Sequence, residues 1–176
     1  MRWKDCIHVF YIDGSYRDVY VLDTTASDWE RFLALVRERY PASTFDGVDG
    51  PAPIPRSFDE AGDDEGRGTL HVMVGKVMVN CFFIWDKEIE LDIDPSEVVD
   101  EADLDGVVGF CEALGRTVGK DVHITDEGCD SPADEAWLIY RPSSDEWTVQ
   151  KLDKLSEWGT KQGVRHVDPY HAIPSR

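Results

Sequence analysis

Val77-Met78-Val79-Asn80-Cys81-Phe82-Phe83-Ile84-Trp85-Asp86-Lys87-Glu88-Ile89-Glu90-Leu91-Asp92-Ile93-Asp94-Pro95 is the stretch that decides how this chain folds. Its first half is apolar on both edges. Its second half alternates acid and aliphatic residues from Glu88 to Asp94. In a strand, successive side chains point to opposite faces, so Ile89, Leu91 and Ile93 are buried on one side. Glu88, Glu90, Asp92 and Asp94 line the other. The first half has no polar edge and belongs in the middle of a sheet. The turn near Asp86-Lys87 sets which rows meet. A two-residue turn would oppose Trp85 to Glu88 and Phe83 to Glu90. A three-residue loop opposes Trp85 to Ile89 and Phe83 to Leu91, which keeps apolar rows together, and this register is the one expected. Glu90 and Asp92 then share a face with Ile84, Phe82, Met78, Met73 and His71.

Outward from this stretch, residues 70–74 and 77–85 flank Gly75-Lys76, a two-residue hairpin turn. Asp94-Pro95-Ser96-Glu97 carries the marks of a helix start: an acid cap, then proline, then Glu three residues on. Leu104, Val107, Val108, Cys111, Leu114 and Val118 follow at helical spacing. Toward the N-terminus, residues 7–12 and 17–22 read as a hairpin turned at Asp13-Gly14-Ser15. Ser27 and Glu30 suggest a capping box for a helix carrying Trp29, Phe32, Leu33, Val36 and Tyr40, which Pro41 ends. Residues 46–68, with Pro51, Pro53 and Pro55, read as a breaker-rich loop. Residues 122–125 and 136–140 read as strands, 152–158 as a short helix and 159–176 as an extended tail. The expected fold is α+β, in the order ββαβββαββ, with an antiparallel or mixed sheet and two main helices on one face.

Residues 1–150 are expected to form one acidic domain, with 151–176 a mildly basic, partly flexible segment. The chain has 176 residues, 41% of them apolar, which suits a folded protein with a core. It holds 18 basic and 36 acidic residues, a net charge of −18. Five basic and three acidic residues fall in 151–176, so 13 basic face 33 acidic in 1–150. Between Asp86 and Asp105 alone there are ten carboxylates and one basic residue, Lys87. Such a field repels nucleic acid and anionic membrane and attracts basic proteins and cations. The same acidity also serves solubility or life in high salt.

Catalytic motifs are missing from the sequence. There is no Gly-x-Ser-x-Gly elbow, no phosphate loop and no Cys-x₂-Cys, and His8, His71, His123, His166 and His171 lack metal spacing. Asp92 and Asp94, joined by Glu90 or Glu97, have the oxygen chemistry of a Mg²⁺ or Ca²⁺ site, or of acid–base work in a small metal-dependent hydrolase. Cys6, Cys81, Cys111 and Cys129 show no close pairing, no leader is visible, and no run approaches the ~18 apolar residues of a membrane span. A reduced, cytoplasmic protein without cofactor is expected. The candidate partner-binding residues are Trp85, Glu88, Glu90, Asp92, Asp94, Glu97, Asp100 and Glu101, an aromatic anchor edged by charge.

Ser27-Asp28-Trp29-Glu30-Arg31-Phe32 and the run from Phe82 to Pro95, in a compact acidic α+β body, resemble the immunity proteins that bacteria pair with polymorphic toxins. The two segments cover about a ninth of the chain. The resemblance implies a non-enzymatic inhibitor that binds a basic cognate toxin domain and covers its cationic cleft. It carries over no catalytic residue. The alternatives are the hydrolase built on Asp92 and Asp94, and an acidic nucleic-acid mimic or scaffold.

Overall fold

The computed structural model describes residues 6–63 and 66–149. A 3₁₀ turn, Ile7–Phe10, precedes β1 (Arg17–Val21), α1 (Ala26–Arg39), β2 (Thr44–Gly47) and β3 (Gly50–Ala52). Then come a small hairpin of β4 (Gly62–Asp63) and β5 (Gly66–Arg67), followed by β6 (Thr69–Val74), β7 (Val77–Phe82) and β8 (Ile89–Ile93). The chain continues through α2 (Glu101–Val118), β9 (Val122–Asp126), the short α3 (Pro132–Glu135), β10 (Leu138–Arg141) and β11 (Glu146–Val149).

Nine strands form one antiparallel sheet in the order β11-β10-β9-β1-β8-β7-β6-β2-β3. Two meanders, β6-β7-β8 and β9-β10-β11, are joined through β1. The α+β class and the antiparallel sheet are as the alternation of residues implies. Val19 sits opposite Leu91 on one side and Ile124 on the other. These three are fully buried, and the aliphatic row they start runs across the whole sheet. The helices α1 and α2 cover that row. Trp29 of α1 stacks on Phe83 at 5.1 Å, and a Cβ added at Gly115 of α2 would lie 2.9 Å from the Tyr140 ring of β10. Among the described residues no long helix covers the other face; only the short α3 lies against it, with Pro132 beside His123 of β9, and an antiparallel sheet can be half buried and half open in this way.

Four expectations need correction. The segment around residues 7–12 is a 3₁₀ turn, not a strand, so β1 has no hairpin partner there and is free to enter the sheet between β8 and β9. The capping box is Thr25 with Asp28, two residues before Ser27: the Asp28 carboxylate accepts from the Thr25 amide at 2.9 Å, and the Thr25 hydroxyl accepts from the Asp28 amide at 3.3 Å. The breaker-rich stretch supplies edge strands β2 and β3, with Pro51 at the margin where no ladder donor is needed. Asp94-Pro95-Ser96-Glu97 makes only a single 3₁₀ turn, and α2 starts later, capped by Asp100, which accepts from the Asp103 amide at 2.9 Å. The edge strand β11 was hidden in sequence, since Glu146-Trp147-Thr148-Val149 is too short to show a period. The readings of residues 151–176, including the helix at 152–158, lie outside the described residues.

The β7–β8 register differs from the expected one by two residues along the strand. Cys81 opposes Leu91 and Phe82 opposes Glu90, so apolar still meets apolar and the faces are those expected. The connection is longer because it is tied to α1. Trp29 Nε1 donates to the Asp86 carbonyl at 3.1 Å, the Thr24 amide donates to the Lys87 carbonyl at 2.7 Å, and Phe83 leaves the strand to stack on Trp29. The β6–β7 turn is the expected Gly75-Lys76, with Gly75 in the left-handed region at φ +66°.

A fully buried cation fastens the segment before β1. Arg17 Nε donates to the Val9 carbonyl at 2.6 Å, and its Nη atoms donate to the carbonyls of Tyr11 at 2.7 Å, Tyr16 at 2.9 Å and Ser15 at 3.1 Å. Asp13 at 3.2 Å and Asp126 at 3.6 Å balance its charge. Truncating this buried, paired cation leaves buried carbonyl acceptors without a donor and the Asp13 carboxylate without its counter-charge. Arg17→Met should therefore lower the unfolding free energy by about 3–5 kcal/mol in urea denaturation. A loss under about 1 kcal/mol, the scale of an exposed pair, would contradict this role.

Candidate functional site

The insertion of β1 decides what the open face displays. Arg17, Val19 and Val21 point to the helices, so Asp18 and Tyr20 point away from them. Asp18 lies directly opposite Asp92, and Tyr20 directly opposite Glu90. On the far side of β8, Asn80 opposes Asp92 and Phe82 opposes Glu90. Two rows thus cross the face: Thr125, Asp18, Asp92, Asn80 and His71 in one, and His123, Tyr20, Glu90, Phe82 and Thr69 in the other. Neither lysine nor arginine occurs on this face of β1, β7 or β8. Like charges placed directly opposite in a sheet oppose folding, each pair by ~0.2–1 kcal/mol.

Neutral donors partly satisfy the acids. The Tyr20 hydroxyl lies 3.2 Å from Asp18 Oδ2 and 3.5 Å from Glu90 Oε1. The Gly128 amide donates to Asp18 Oδ2 at 2.8 Å. Asn80 Nδ2 donates to Asp92 Oδ1 at 2.7 Å. The Asn80 carbonyl oxygen is held in turn by His71 Nδ1 at 2.7 Å, and His71 Nε2 lies 3.4 Å from Asp46. The polar chain Asp46–His71–Asn80–Asp92 therefore spans four adjacent strands.

None of these contacts neutralises Asp18, Glu90 or Asp92, and their proton affinities reflect that. Burial pushes the Glu90 carboxyl above its ordinary 4.5, and the Glu88 and Asp18 charges add to the rise. Burial likewise raises Asp92 above 3.8, opposed by the Asn80 hydrogen bond and assisted by Asp18 and Glu127. Asp18 is raised by burial against the pull of the Gly128 amide and the Tyr20 hydroxyl. Burial raises Tyr20 as well, helped by the charges of Asp18 and Glu90, so it remains a neutral donor. Asp28 behaves oppositely: burial acts upward, but the Thr25 and Arg31 hydrogen bonds outweigh it and hold the carboxyl low.

The structure gathers Glu88, Glu90 and Asp92 and disperses the other candidate residues. Trp85 is exposed in the β7–β8 connection, beside exposed Ile84. Asp94 accepts from the Ser96 amide at 2.8 Å, which occupies it as a turn cap. Glu97 folds back onto β7, accepting from the Met78 amide at 2.6 Å. Asp100 caps α2 and lies 4.0 Å from Lys76, and Glu101 is exposed in the first turn of α2. Asp92 and Asp94 thus each serve an internal donor. Among the described residues no group of three or more His, Cys, Asp or Glu side chains is placed to hold a metal ion.

Asp18, Tyr20, Asn80 and Glu127 belong to the acidic face without having been singled out in the sequence. Glu127 lies close enough to Asp18 and Asp92 to raise both. The polar–apolar alternation of Arg17-Asp18-Val19-Tyr20-Val21 is the signal that points to the first two. Among the described residues no helix is long and apolar enough to cross a membrane. No family model, no curated protein and no solved structure matches this chain.

The proton affinities make a test of the face. A carboxyl whose folded value is raised stabilises the fold below its unfolded value and loses that contribution as pH rises through the folded value. Glu90→Gln should therefore stabilise the protein at pH 7, by about 0.2–1 kcal/mol. The gain should shrink toward zero as pH falls to about the ordinary carboxyl range, where Glu90 is protonated. Thermal unfolding of both proteins across this range checks it, and destabilisation by Gln at neutral pH would contradict it.

Proposed function

We propose that this protein is a non-enzymatic binding protein, similar in role to the immunity proteins of polymorphic toxins, which neutralises a basic protein by docking it on the open sheet face. The single observation that supports the reading is the cluster of Asp18, Glu90 and Asp92, three carboxylates at least half buried on one face of β1 and β8, with no Lys or Arg on that face of β1, β7 or β8. A fold gains nothing from leaving such a cluster unneutralised. A cationic partner would supply the missing charge, draw the carboxyl proton affinities down and be attracted from a distance by the net charge of −18.

Exposed Ile84 and Trp85 stand next to this face at the end of β7 and supply the apolar contact that an interface of this kind uses for affinity. Charge then supplies steering and selectivity. A toxin that acts on nucleic acid would meet this requirement, because its cleft is cationic in order to hold phosphates.

Glu90→Lys with Asp92→Lys should leave the fold intact, since both side chains lie on the open face and their reversal relieves repulsion. The immobilised protein, given a lysate of the cells that make it, should retain a basic protein at low salt. The double variant should lose that protein, with association slowed about tenfold or more when the captured partner is measured. Equal retention by both proteins, or an acidic protein as the captured species, would overturn the proposal.

A further inference from the structure

The carboxylates alone would accept any cation, but the residue beside them narrows the choice. Phe82 is directly opposite Glu90 in the β7–β8 ladder, so a half-exposed aromatic ring stands next to the carboxylate, with Cβ atoms ~4.5–5.5 Å apart. The ring also borders a cleft of about 440 Å³ at the end of β7, formed with Gly66, Gly68, Thr69, Phe83 and Ile84, and is reached from solvent there. The one cation of that cleft, Arg67, is turned inward: its guanidinium donates to the Phe58 and Gly62 carbonyls and lies over the Phe58 ring. Tyr20, on the other side of Glu90, is buried and engaged with Asp18 and Glu90, so it fixes the acids and leaves Phe82 as the available ring.

We infer that this face selects arginine over lysine in the partner, with a guanidinium paired to Glu90 and Asp92 and stacked on the Phe82 ring. The inference rests on the reading of the open face as the docking surface for a cationic protein. A guanidinium is planar, pairs with carboxylates through two parallel N–H donors and stacks on aromatic faces. An ammonium has neither the plane to stack nor the fork to pair, meets aromatic faces less often, and holds its water more tightly, which costs more where Glu90, Asp92, Met78 and Phe82 are all half-buried. The arrangement of acid, ring and acid across two strands therefore fits the flat cation better than the compact one.

The experiment titrates the ¹⁵N-labelled protein with hexa-arginine and with hexa-lysine at low ionic strength, following backbone amides by NMR, for the wild type, Phe82→Leu and Glu90→Gln/Asp92→Asn. Hexa-arginine should move amides of β1, β7 and β8 and bind about two- to fivefold more tightly than hexa-lysine, the scale of an added cation–π contact. Phe82→Leu keeps apolar bulk and should remove that preference, weakening hexa-arginine more than hexa-lysine. Glu90→Gln/Asp92→Asn should weaken both peptides. Equal affinity of the two peptides for the wild type, or a preference that survives Phe82→Leu, overturns the selectivity and leaves the acidic docking face standing. No shift in β1, β7 or β8 with either peptide overturns the docking face as well.

Discussion

The five residues of β1 are the constraint on which the rest of the molecule depends. Set between β8 and β9, they join two meanders into one nine-stranded sheet, and Val19 links the aliphatic rows of both. The same insertion brings Asp18 and Tyr20 beside Glu90 and Asp92. A strand cannot deliver its odd side chains to the core without delivering its even ones to the other face. The core and the acidic surface are two consequences of one pairing, and a one-residue slip of β1 would lose both.

The two faces have opposite energetics. On the helix side, Leu91, Ile93, Val79 and Cys81 are fully buried under α1 and α2, each large side chain contributing ~1.5–3 kcal/mol of transfer free energy. On the open side, facing acids oppose folding, with Tyr20, Asn80 and the Gly128 amide offsetting part of the cost. The sheet tolerates the repulsion because the core and the Arg17 clamp hold β1 in place from behind. Acids held together by force from the opposite face would need little further ordering to meet the cationic partner proposed for them.

Much of the fold was legible in the residues from Val77 to Pro95. Alternation by two gave β8 and its buried edge, the doubly apolar run gave an interior β7, and helical spacing gave α1 and α2. What escaped was non-local. Residues 7–12 have the composition of a strand, yet Arg17 draws their carbonyls into its own hydrogen-bonding shell and a 3₁₀ turn results. The length of the β7–β8 connection depends on Trp29 and Thr24, which lie more than fifty residues earlier in the chain. Glu88, Glu90 and Asp92 were readable as a charged strand face. Asp18 and Tyr20 show in the sequence only as the polar positions of a short alternating run, because the strands that pair with β1 lie far along the chain. Asp94, Glu97 and Asp100 looked like the same acidic surface and turned out to serve caps and a β7 amide.

The most direct measurement of the central claim is a ¹³C NMR pH titration of the side-chain carboxyls of Asp18, Glu90 and Asp92 in the free protein. The account predicts that all three titrate above the ordinary values of 3.8 for aspartate and 4.5 for glutamate. Ordinary or depressed values would mean that the protein already neutralises these acids itself, and the open face would have no charge left to offer a partner.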